Sequence, residues 1–111
     1  MEGSLEEMLN ALKELLYNDY ELFSEKRKLL SEYIRMISTY NIIILCYEEL
    51  KDKENALQYQ EKREEYIEKS KKLSEELKNL SAQIEGLERT LNLKPNKNIR
   101  QRKPKQNIYV S

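Results

Sequence analysis

Six apolar pairs recur at seven-residue intervals in the first half of this chain: Met8-Leu9, Leu15-Leu16, Leu22-Phe23, Leu29-Leu30, Met36-Ile37 and Ile43-Ile44, with Leu50 one step further on. A strict heptad held that long requires an α-helix lying lengthwise along other helices. Two glycines, two prolines and 36% charged side chains suit long helices and leave too few turn formers for a β fold. The apolar share, 39%, is modest but falls at periodic positions, so disorder does not follow.

Taking Leu5, Leu12, Asp19, Lys26, Tyr33, Tyr40 and Tyr47 as the a positions, the d row runs Met8, Leu15, Leu22, Leu29, Met36, Ile43, Leu50. The e row, Leu9, Leu16, Phe23, Leu30, Ile37 and Ile44, is also wholly apolar, a wider stripe than a two-stranded seam needs. Ser4 and Glu7 read as a capping box, and the pattern predicts one helix over 4–51, roughly 70 Å long. Ser38 to Asn41 is the expected place for a kink.

A second periodic segment has Ala56, Arg63, Ser70, Leu77, Ile84 and Leu91 at a, with Tyr59, Tyr66, Leu73, Leu80 and Leu87 at d. Its phase slips by two residues from the first, which a continuous coiled coil absorbs poorly. Residues 51–55 are therefore expected to turn, with Asn55 as N-cap of a helix over 55–93 that Pro95 terminates. Gly86 within it predicts a close approach between helices. Tyr47 followed by Ala56 across a short charged turn, with Tyr40 and Ile43 upstream, resembles the helix-turn-helix of a tetratricopeptide repeat. Ile44, Gln60 and Arg63 depart from that repeat and no second copy follows, so the resemblance implies the turn and not the family's peptide binding.

Folding back about that turn sets Tyr47 against Tyr59 and Tyr40 against Tyr66, a tyrosine patch at the tip. It also brings Asp19 near Arg89 as a candidate ion pair. The second helix offers two apolar rows to the first helix's three and runs out before its start. Leu5, Met8, Leu9, Leu12, Leu16, Phe23, Leu30, Ile37 and Ile44 are thus expected to remain open as a partner interface. Each buried aliphatic side chain contributes about 1.5–3 kcal/mol, so a wet e row would forgo roughly 10 kcal/mol, comparable to the stability of a domain. The expected fold is all-α: residues 1–93 form an antiparallel helical hairpin, completed as a dimeric four-helix bundle. A foreign helix in the groove would satisfy the same physics.

No catalytic constellation appears. The chain has no histidine, and adjacent glutamates such as Glu48-Glu49 diverge on a helix. One cysteine and no Asp-rich loop give no metal site, and no cofactor or small-molecule substrate is implied. Cys46, at a g position, is expected to be a half-buried hydrophobe. The acidic start is unlike a signal peptide, and the longest apolar run, Ile42 to Tyr47, is too short to span a bilayer. The expectation is a cytoplasmic, non-enzymatic scaffold or adaptor, or a small chaperone or inhibitor that clasps a client helix.

Charge is unevenly shared. Residues 1–93 hold 14 basic against 20 acidic side chains, whereas 94–111 hold six basic and none acidic. Lys94, Lys97, Arg100, Arg102, Lys103 and Lys105 form an irregular basic tail of the kind that contacts nucleic acid or the ribosome through phosphate, without reading sequence.

Overall fold

The computed structural model describes residues 2–93, with side chains from Gly3 onward. Helix α1 spans Glu2–Glu49 and α2 spans Lys53–Thr90; no strand occurs among the described residues. The chain is all-α. α1 runs unbroken through Ser38 to Asn41, where the Thr39 hydroxyl donates to the Arg35 carbonyl oxygen at 3.0 Å. The Ile42-Ile43-Ile44 run is helical too, since the surrounding heptad outweighs propensity differences of a few tenths of a kcal/mol. α1 begins before Ser4, which lies inside the helix rather than capping it.

The reversal is tighter than 51–55. Lys51 takes a left-handed backbone (φ 61°). Its amide donates to the Glu48 carbonyl at 3.0 Å, and the Asp52 amide to the Tyr47 carbonyl at 2.9 Å. That pair of bonds is a Schellman motif, which satisfies carbonyls a helix end otherwise leaves open. Asp52, not Asn55, then caps α2: its Oδ1 accepts the Asn55 amide at 3.2 Å and its Oδ2 accepts from Asn55 Nδ2 at 2.8 Å. The carboxylate also suits the positive helix end. α2 stops by the same device, with Asn92 left-handed (φ 58°), the Leu93 amide on the Glu88 carbonyl and the Asn92 amide on the Arg89 carbonyl.

Two compact units divide the fold, each containing part of both helices. Among the described residues, the first holds those up to Glu25 together with those from Leu77 onward, the second Lys26–Glu76. In the first unit Leu16 (1% exposed) and Ile84 (0%) are the most deeply buried apolar side chains, joined by Phe23, Leu77 and Leu80. In the second, Ile44, Ala56 and Leu73 are buried, with half-buried tyrosines and aliphatic side chains such as Ile37 and Ile67 beside them.

Candidate functional site

In the first unit α2 lies against a different flank of α1 from the one the heptad suggested, whereas in the second the a-row tyrosines face it as expected. In the first unit the buried α1 residues are Leu16 and Phe23 at e, Asp19 at a, and Tyr20 at b. The physical reason is polar as much as apolar. The Tyr20 hydroxyl donates to Glu88 Oε2 at 2.6 Å in the buried interface, and Gln83 Nε2 donates to Asp19 Oδ2 at 2.9 Å. Buried polar groups demand such partners, and these anchor α2 on the e and b side. Asp19 therefore does not pair with Arg89, whose guanidinium instead lies 4.0 Å from Glu85 on its own exposed face.

The expected e-row interface is corrected accordingly. Leu16, Phe23 and Ile44 are buried within the chain; Leu12, Leu30 and Ile37 are half-buried, while Leu5, Met8 and Leu9 are exposed. What stays uncovered is the first part of the d row, Met8 at 57% exposed, Leu15 at 43%, Leu22 at 42% and Leu29 at 39%, whereas Met36 and Ile43 further along it are half-buried. Of that row, only Met8 stood among the sequence-predicted interface residues. The signal for the others was present, since d and e were equally apolar and flanked the a row on opposite sides.

The second unit carries a ladder of rings. Tyr33 meets Tyr66 edge-on at 5.6 Å, Tyr66 meets Tyr40 at 5.7 Å, Tyr40 meets Tyr59 at 5.9 Å, and Tyr59 stacks on Tyr47 at 5.7 Å. The Lys69 ammonium sits 4.8 Å from the Tyr66 ring centre, a cation–π contact. All five tyrosines are half-buried, so the ladder is packing between α1 and α2. Polar groups interrupt it: Arg63 donates to Asn41 Oδ1 at 2.8 Å, while its Nε and the Ser70 hydroxyl are buried without a partner. Lys26 pairs with Glu76 at 2.8 Å.

The chain matches no known family model, no curated protein and no solved structure.

Further features follow from placement. Cys46 is exposed rather than half-buried. A β-carbon on Gly86 would meet nothing within 4 Å, so no close approach requires that glycine. No cluster of three or more metal-ligating side chains occurs among the described residues. Between Gly3 and Glu49, α1 is long and apolar enough to cross a membrane by length and composition, with mean hydropathy 1.2 over its best stretch. That test weighs little for a helix whose Tyr33, Tyr40 and Tyr47 pack on α2, itself lined with exposed Glu61, Lys62, Glu64 and Glu65. The tail cations Lys94, Lys97, Arg100, Arg102, Lys103 and Lys105 lie outside the described residues.

Proposed function

We propose that this chain is a non-enzymatic scaffold or adaptor that works by helix–helix association through the d row of α1. The observation that supports this reading is the heptad-spaced exposure of Met8, Leu15, Leu22 and Leu29 on one helix. Scattered exposed leucines are ordinary on protein surfaces, but an aligned row is a seam for another helix. Within the first unit, Met8 to Leu22 spans about four helical turns, roughly 21 Å, enough for knobs-into-holes packing. Burying the row supplies the free energy; no chemistry at the site is needed.

Sedimentation equilibrium of the full chain tests this. A concentration-dependent mass above the 13.4 kDa of one chain supports assembly, and Leu22→Glu should lower it. A mass of one chain at every concentration up to the millimolar range contradicts it.

A further inference from the structure

Charge divides unevenly among the parts of the chain. Residues 2–25 and 77–93, the described part of the first unit, hold nine acidic side chains against Lys13, Lys78 and Arg89, a balance of −6. Lys26–Glu76 holds eleven of each sign and is neutral. Residues 94–111 carry six basic side chains and no acidic one, so their +6 matches the first unit, from whose end they leave. There α1 repeats one triplet at heptad spacing: Glu7-Met8-Leu9, Glu14-Leu15-Leu16 and Glu21-Leu22-Phe23. Glu7, Glu14 and Glu21 form the c row, are all exposed, and make no ion pair with a described residue. Successive helix residues point about 100° apart, so this row looks away from the e side, where Leu16 and Phe23 are buried. We propose that the glutamate face is the docking surface for the chain's own basic segment, residues 94–105, which lies along it beside the d row. The inference is independent of what occupies the d row.

Position, spacing and charge support that occupant. The Tyr20–Glu88 and Asp19–Gln83 bonds set the end of α2 beside residues 7–21 of α1. Twelve extended residues reach about 40 Å, enough to pass round one helix and follow the row. Glu7 to Glu21 covers roughly 21 Å, with successive carboxylates about 10 Å apart. In the basic segment Lys94, Lys97, Arg100 and Lys103 recur at every third residue, and three extended residues also span about 10 Å. Successive cations can therefore meet successive carboxylates. Each exposed pair contributes little alone, but a tethered segment meets its site at high effective concentration, so several weak pairs suffice.

Paramagnetic broadening in NMR spectra of the full chain tests this, with one nitroxide on Asn18→Cys in a Cys46→Ser background. Asn18 is exposed and uncharged, on the g row near the glutamates. At low salt the label should broaden the amide signals of residues 100–105. Combined Glu7→Gln, Glu14→Gln and Glu21→Gln substitutions should abolish that broadening, with circular dichroism checking that helix content is kept. Salt at about 1 M, where the screening length falls to about 3 Å, should abolish it as well. Equal broadening in the glutamine variant is the effect of the tether alone and overturns the proposal, as does no broadening at low salt. Mixing nitroxide-bearing chains with isotope-enriched chains lacking the label separates the copies: broadening carried from one chain to another overturns the assignment to the chain's own segment. Signals of residues 94–105 that ignore the label but shift on adding a short single-stranded RNA overturn it in favour of a nucleic-acid arm.

Discussion

Tyr20 and Glu88 are joined across the two helices by a 2.6 Å hydrogen bond in which the phenol donates to a carboxyl oxygen, and both side chains are buried. Among the described residues, Glu88, with 2% of its surface exposed, is the most deeply buried charged-type side chain. A carboxyl group placed there is tolerated only because it is bonded. Tyr20→Phe should therefore destabilise the fold by about 1–3 kcal/mol in urea denaturation. Tyr17→Phe, on a largely exposed ring one helix position away from the interface, should change stability by less than about 0.5 kcal/mol. Equal effects at both sites would remove the buried bond from the account.

Gly86 lies inside α2 with open space where a β-carbon would go. Gly86→Ala should stabilise by about 1 kcal/mol through helix propensity alone. Thermal melting by circular dichroism checks this, and a lower midpoint would mean the site is tighter than its surroundings indicate.

Lys51 holds a left-handed backbone at the Schellman turn. A lysine there has a β-carbon penalty of about 1–2 kcal/mol that glycine lacks. Lys51→Gly should raise the unfolding midpoint, while Lys51→Ala should leave it nearly unchanged. A drop on introducing glycine would show that the reversal has another geometry.

Tyr40 touches both Tyr59 and Tyr66, so it is the central rung of the ladder. Tyr40→Leu keeps much of the apolar volume and loses two ring pairs, each worth about 0.5–1.5 kcal/mol. A destabilisation of about 1–3 kcal/mol is expected. Urea unfolding followed by circular dichroism checks this, and an unaltered unfolding curve would contradict the ladder's role.

The heptad made the two-helix, all-α architecture readable before any coordinates, and the antiparallel return made Tyr47–Tyr59 and Tyr40–Tyr66 readable as facing pairs. Which flank of α1 receives α2 was not readable. The a, d and e rows form a stripe that is nearly symmetric about a, so apolarity alone gives no preference between d and e. The choice is made by Tyr20 at b and Asp19 at a, which find Glu88 and Gln83 only if α2 lies on the e side. A pairwise polar match between distant positions leaves no periodic trace. The caps were hidden for a similar reason. Lys51 is a poor left-handed residue, and Asp52 with Asn55 offers two plausible N-caps, of which the bonded geometry selects the first.

The central proposal is that two apolar rows of α1 do different jobs in the first unit: Leu16 and Phe23 at e hold the chain's own second helix, and Met8, Leu15 and Leu22 at d are open to a partner. Leu16→Ala and Leu22→Glu separate them when stability and mass are measured together by denaturation and sedimentation equilibrium. The account predicts that Leu16→Ala loses about 2–5 kcal/mol, as a buried leucine does. It predicts that Leu22→Glu keeps the helical content of the wild type and falls from an assembled mass to the 13.4 kDa of one chain. A wild type that sediments as one chain, or a Leu22→Glu variant that remains assembled, would contradict it.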